Sequence, residues 1–361
     1  MALRNNASDM KTNIITRREE INVGREEWNQ LLSGSETNTI FQTYEWVWTW
    51  WTAFGRTRSL FLVEVRDGDK LLALGPLMLD RFGRKRSLRF IGEDNSDYCD
   101  FIAGERKQVA LIAIFDAIAS WEGWDVIQLK NVPEYSTTIA SVREFCGRTG
   151  KHFLETEGIS CPTLIIRGHE DHARRVSRKK TIRRRDNYLK KTGDLKVFHV
   201  ETVEEAIRYF DLFVGQHIRR WSGTSSPSLF LKQGTRDFYR DLIEALLPRG
   251  LLLFTVLEYE GRPIAFHFGF DYGSKVLWYK PSFDPDYGRL SPGTVLLKYL
   301  IEYCVDQGRH ELDFTIGDEP FKRKFANCVR KNGHFRIYND WFGYSLEKAF
   351  QRLLSFRKFL S

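Results

Sequence analysis

Two periodicities alternate along the chain. The runs Ser59 to Arg66 and Lys70 to Leu79 flank the turn Asp67-Gly68-Asp69, which predicts a β-hairpin. Leu251 to Tyr259 and Arg262 to Asp271 repeat that pattern around Glu260-Gly261, and Val276 to Pro281 is expected to pair on as a third strand. Helical spacing marks Gly24 to Leu32, Thr43 to Phe54 with Gly55 as its stop, Val109 to Trp121 and Ser136 to Thr149. It returns in Ala173 to Lys191, Val203 to Trp221, Arg236 to Leu247, Thr294 to Asp306, a short turn or helix from Lys322, and Leu346 to Leu360. Further strands are expected at Ile14 to Val23, Cys99 to Ile102, Asp125 to Leu129, Gly158 to Ile166, Leu195 to Val200, His310 to Phe314 and His334 to Tyr338. The polar stretch Met1 to Lys11 is expected to be loose.

The two halves follow one order: helices, a hairpin with an acidic-Gly turn, a further strand, a helix and a short strand. No short fixed period runs through them, which excludes a solenoid. The pattern predicts two similar α/β (α+β) domains over 14–167 and 168–340, each a mixed, mostly antiparallel sheet flanked by helices. An amphipathic C-terminal helix is expected in 341–361. A length of 361 residues suits two such domains.

Charge changes the picture in one place. Between His172 and Lys191 ten Lys and Arg face one acid, Asp186, so this segment alone carries a net +9 in a chain of net +8. The basic character therefore belongs to one element, which could meet tRNA or an anionic surface over 174–191 or could be a solvated face. Tyr188 is the one aromatic there, so base stacking is not supported. Ten Trp and 27 Phe are read as core. The five cysteines have neither disulfide-framework nor zinc spacing, and no metal is expected. With no apolar leader and no run of about 18 apolar residues, a cytoplasmic setting without a transmembrane segment is expected.

Three constellations could carry chemistry. A strand runs into Ser282-Phe283-Asp284-Pro285 and a helix leaves from Ser291-Pro292-Gly293-Thr294. Such a helix start offers unpaired N–H groups to a phosphate, or it is an ordinary start with Ser291 as N-cap and Pro292 in the first turn. His217, Arg220 and Trp221 share a helix face, where His217 could be a base and Arg220 and Trp221 could hold substrate, or where they could simply close the helix. Asp313 to Lys324 leaves a strand through Gly317, and its Lys322 could neutralise a phosphate. His267 and Tyr279 lie in strands, facing core or cleft. No Walker loop, G-x-S-x-G elbow or metal spacing is present, which disfavours nucleotide and ester hydrolysis.

Taken in order, these segments resemble the GNAT-like family typified by the CelD cellulose-biosynthesis proteins and the FemABX peptidyltransferases. The resemblance rests on His217-Ile218-Arg219-Arg220-Trp221, Arg262-Pro263-Ile264-Ala265-Phe266, Phe283-Asp284-Pro285 with Ser291-Pro292-Gly293, and Asp313-Phe314 with Gly317, Glu319 and Lys322. In the first half it rests on Phe41 to Trp46, Gly75-Pro76-Leu77, and Phe90-Ile91-Gly92 before Asp97 to Asp100. Phe321 departs from the family, which usually has Tyr before that Lys.

The resemblance implies tandem GNAT folds and acyl transfer from acyl-CoA, such as acetyl-CoA, to an amine or hydroxyl of a small molecule or glycan precursor. An aminoacyl-tRNA donor, or a non-catalytic accessory role in exopolysaccharide assembly with the C-terminal helix docking on a partner or membrane, are the alternatives. It further implies His217 or Asp313 as base, Ser291 to Thr294 as phosphate cradle, and Arg220, Trp221, Tyr279, Asp284 and Lys322 as substrate contacts. Backbone N–H groups of Val276 to Pro281 would receive the oxyanion.

Overall fold

The computed structural model of the chain describes residues 10–360, with the side chains of Glu157, Gln351 and 353–360 left aside. The stretch 1–9, expected to be loose, and the side chains 353–360 of the expected C-terminal helix lie outside the described residues. The chain divides into two compact units, Met1–Ile159 with Lys331–Ser361, and Ser160–Arg330. It changes unit at 159/160 and again at 330/331, so the spans 14–167 and 168–340 do not coincide with these units.

In the first unit, β1 (Met10–Ile15), β2 (Ser59–Asp67), β3 (Lys70–Phe82) and β4 (Lys85–Phe90) pair antiparallel in sequence order. The two-residue strand β5 (Ile102–Ala103) joins β3, where a longer strand from Cys99 was expected. β6 (Val126–Pro133) runs parallel to β4, and Asn332 to Tyr338 of β13 (Cys328–Tyr338) closes antiparallel on β6.

Helices α1 (Arg25–Ser33), α2 (Tyr44–Phe54), α3 (Lys107–Ser120), α4 (Thr137–Thr149) and α11 (Trp341–Leu360) complete this unit. Thr43 caps α2 by accepting from the Trp46 N–H at 3.2 Å. Trp46, Trp48 and Trp50 of α2 are buried, with Trp46 Nε1 donating to Ser96 Oγ and Trp50 Nε1 to Asn95 Oδ1, both at 2.9 Å. That pairing satisfies the indole N–H groups of Trp46 and Trp50 as their rings are buried, whereas Trp48 Nε1 is buried without a partner.

The second unit starts in β7 (His152–Ile165), whose Thr163 to Ile165 pair antiparallel with β12 (Glu311–Asp313). From β12 the sheet continues through β11 (Lys275–Phe283), β10 (Arg262–Tyr272) and β9 (Leu252–Tyr259) to β8 (Leu195–His199). β8 to β11 are antiparallel neighbours, and β11 and β12 are parallel. The β9–β10 hairpin turns on Glu260 (φ 51°) and Gly261 (φ 71°), the two left-handed positions of a tight hairpin turn.

α5 (Glu170–Ser177), α6 (Lys180–Thr192) and α9 (Pro292–Asp306) pack an aliphatic core on one face of this sheet, through Val176, Ile182, Leu189, Val295 and Ile301. α7 (Val203–Trp221) and α8 (Gln233–Leu246) cover the other face, where Phe210, Phe213 and Tyr239 meet Phe254, Phe266 and Phe268. The basic segment is two helices rather than one. It breaks at Arg178 and Lys179, so that α5 and α6 each turn apolar residues onto the core. α10 (Pro320–Arg323) is a single turn before β13.

Candidate active site

The second sheet opens between its two parallel strands. β11 and β12 pair only over Lys275 to Leu277 and Glu311 to Asp313, and the chain beyond β12 does not follow β11. On its other side β11 is irregular too: Phe270 pairs with Leu277 and Phe268 with Lys280, so Trp278 and Tyr279 oppose Gly269 alone. This is a β-bulge, which re-aims a strand locally. Trp278 and Tyr279 therefore stand outside both registers.

His267 holds the bulge. Its Nε2–H donates to the Leu277 carbonyl at 3.1 Å, and its ring stacks on Trp278 with centroids 4.9 Å apart. Burial pushes the imidazole down to about 3, so it stays neutral. Gly269 permits the arrangement, since an added Cβ would collide with His267 Nε2 and the Leu277 oxygen. The sequence pattern leaves His267 facing either core or cleft and carries no signal for Gly269.

α9 begins beside this opening without a side-chain cap. Ser291 is in the left-handed region at φ 49° and caps with its backbone carbonyl, which accepts from Thr294 and Val295 at 2.9 and 3.2 Å. The N-cap role for the Ser291 hydroxyl is thus corrected: at that φ the side chain does not reach the helix N–H groups. Pro292 has no N–H, and the Gly293 N–H has no backbone partner among the described residues. A helix start left this way can take a phosphate oxygen.

The C-terminal end of α7 reaches the same strand. Arg220 Nη1 donates to the Pro281 carbonyl at 3.1 Å, and its guanidinium lies 4.2 Å from the Phe283 ring. Phe283 in turn lies beneath Gly293, where a Cβ would sit 3.6 Å from Phe283 Cδ1. The first and second constellations thus meet at Phe283.

His217 is buried, with Nδ1 2.9 Å from Ser228 Oγ and its ring beside Trp221 and Phe230. Burial, then the nearby charges of Arg220 and Lys280, push it down to about 3. Tyr279 turns into the α8 face, its hydroxyl 2.8 Å from that of Tyr239, a partner that no sequence pattern signals.

The charged residues singled out from sequence are held by their own loops. Asp284 is 2% exposed and pairs with Arg219 and, at 2.6 Å, with Arg262, while accepting from the Asp286 N–H at 3.1 Å. Lys322 donates to the Ile316 carbonyl at 2.7 Å and pairs with Glu319 at 2.9 Å. Asp313 accepts the Thr315 N–H at 2.7 Å, and Thr315 Oγ1 donates to the Trp278 carbonyl at 3.4 Å. These contacts fix the loops around the opening and occupy the groups that the spacing alone offered to ligand. Phe321 packs edge-on against Phe314.

Four polar atoms of the same elements are buried without a partner: Gln216 Oε1, Trp221 Nε1, Trp278 Nε1 and Ser282 Oγ. Among the described residues no group of three His, Cys, Asp or Glu is arranged to hold a metal ion.

Residues 176–323 match the family model Acetyltransf_6, described as an acetyltransferase (GNAT) domain. The second unit carries a GNAT-type acetyltransferase domain. That domain makes the protein an acyltransferase.

Among solved structures, FemX superposes with a TM-score of 0.64 at 11% identity, covering 87% of this chain and 96% of that one. A conserved protein of unknown function from Bacteroides thetaiotaomicron gives 0.57 at 13% identity, covering 88% and 98%. L-PGS from Bacillus licheniformis gives 0.53 at 13% identity, covering 92% and 97%. These likenesses show a shared α/β fold along almost the whole chain, as the tandem reading expects. No curated protein matches the sequence.

Proposed function

We propose that the second unit transfers an acyl group from acyl-CoA to an amine or hydroxyl. The observation that carries this reading is the parting of β11 from β12 after Leu277 and Asp313, with Trp278 and Tyr279 outside both ladders and the uncapped start of α9 beside them. Acyl transfer needs donors for the tetrahedral oxyanion and a place for the donor's phosphates. The backbone around Trp278 and Tyr279 suits the first need, and Ser291 to Thr294 suit the second.

His217 is neutral at physiological pH because of burial and Arg220. Its weak basicity suits accepting a hydrogen bond from the incoming nucleophile, so its role is to position rather than to store a proton. Arg220 and Trp221 flank that position on the same helix end. Asp313 is the carboxylate nearest in sequence to the opening and the remaining candidate base. The attacking amine or hydroxyl forms the new bond to the acyl carbon, the C–S bond breaks, and the proton released balances the thiolate.

An aminoacyl-tRNA donor is the second reading, favoured by α5 and α6. Among the described residues Arg175, Lys180, Arg183, Arg184, Arg185 and Lys191 make no ion pair, while Arg174, Arg178 and Lys190 are paired. FemX stands among the similar structures. A glycan-precursor acceptor and an exopolysaccharide setting rest on the sequence resemblance.

The test is release of free thiol from acetyl-CoA against a panel of amines and hydroxylated precursors, with and without ribonuclease. Thiol release that ignores ribonuclease supports the CoA donor. Acyl transfer abolished by ribonuclease supports the tRNA donor.

A further inference from the structure

Over 341–350, α11 leaves its apolar side uncovered. Phe342, Leu346 and Phe350 follow one another at intervals of four and therefore share one face; they are 72%, 64% and 56% exposed, and the adjoining Trp341 is 65% exposed. The other side of the helix is engaged within its own unit. Tyr344 stacks on His152 with centroids 4.8 Å apart and meets Tyr338 edge-on at 5.9 Å, and Glu347 pairs with Arg336. The helix is thus fastened by one face and presents the aromatic stripe outward. Monomeric soluble proteins rarely gather such side chains in one exposed row without a use for them.

The charges of the helix say what covers the stripe. Glu347 is the single acid of 341–360, and it is turned inward onto Arg336. Lys348 and Arg352 are exposed, and the sequence adds Arg357 and Lys358. An apolar stripe bearing Trp and Phe, with Lys and Arg around it and its acid withdrawn, is the pattern of a helix lying in the interface of an anionic bilayer. A second copy of this chain would set one cationic helix against another. Among the described residues no helix is long and apolar enough to cross a membrane, so the contact is with the surface.

We infer that α11 docks the protein on bilayers containing anionic phospholipid, with Trp341, Phe342, Leu346 and Phe350 entering the headgroup region. The test uses the full chain and vesicles of phosphatidylcholine alone or mixed with phosphatidylglycerol, read by co-sedimentation. The protein is expected to sediment with the mixed vesicles, and Phe342→Ser with Phe350→Ser to weaken this by roughly tenfold or more. These side chains are exposed, so the double variant is expected to melt like the parent; should it not, Leu346→Gln is the replacement and must show the same loss.

Because α6 is also cationic, Arg183→Glu with Arg184→Glu is the companion variant and is expected to bind within about twofold of the parent. Equal binding by the Phe342/Phe350 variant overturns the proposal, as does loss of binding confined to the α6 variant. A concentration-dependent dimer that the Phe342/Phe350 change abolishes, with no binding to either vesicle, assigns the stripe to a second copy instead.

Discussion

His267 donates from Nε2 to the carbonyl of Leu277, 3.1 Å away, at the last register before β11 parts from β12. That one bond links the bulge on one side of β11 to the opening on the other. Its consequences can be measured on either side.

Gly269 is the first place to look. A methyl group there would collide with the His267 ring and the Leu277 oxygen. Gly269→Ala should destabilise by about 1–3 kcal/mol, the usual cost of overfilling a packed site. It should also lower kcat for acyl transfer beyond the loss of folded protein. Denaturant unfolding and steady-state rates on the folded fraction check this.

The buried imidazoles predict an acid limb. Unfolded His takes up a proton near 6.5, whereas His217 and His267 do so only near about 3 when folded. The unfolded chain therefore binds more protons between those values, and stability falls as pH drops from ~6.5 towards ~3. Above 6.5 these two groups contribute no pH dependence. The unfolding free energy at pH 7.5 and 4.5 should differ less in His267→Gln or His217→Gln than in the parent. The rate profile between pH 6 and 9 should carry no inflection that His217→Gln removes.

Asp284 should behave as an anchor. Its carboxylate is buried under Arg219 and Arg262, both about half exposed. Asp284→Asn should cost about 1–3 kcal/mol of stability, since the guanidinium groups lose their counter-charge but can still reach water. KM for the acceptor, measured well below the melting temperature, should change little. A large KM effect at unchanged stability would return Asp284 to the substrate.

Lys322 gives a parallel case on the other loop. Lys322→Met removes the bond to Ile316 and the pair with Glu319, and should raise amide exchange in 315–319. Exchange measured by mass spectrometry decides between this and a ligand role, for which the free protein would be unchanged.

Much of this was legible from pattern alone, because it is local. α7 spans Val203–Trp221 in both readings, and the hairpins announce themselves through Glu260-Gly261 and Asp67-Gly68. Long-range pairing was not legible. Phe335 meets Leu129 across some two hundred residues, and nothing in the run 328–338 says which unit receives it. The bulge at Trp278 and Tyr279 depends on a histidine ring and a missing Cβ, neither of which leaves a periodic trace. The acids and Lys322 were found by type and spacing, but their partners Arg219, Arg262 and the Ile316 carbonyl come from the fold.

The start of α9 offers the most direct test of the whole account. Gly293→Asp places a negative charge where a helix favours one, so melting should be unchanged or slightly higher. The same charge occupies the place proposed for the donor's phosphates. Calorimetric titration should show acetyl-CoA binding to the parent and binding weakened by about tenfold or more in Gly293→Asp. Undiminished binding to the variant, or no binding to the parent, would contradict the account.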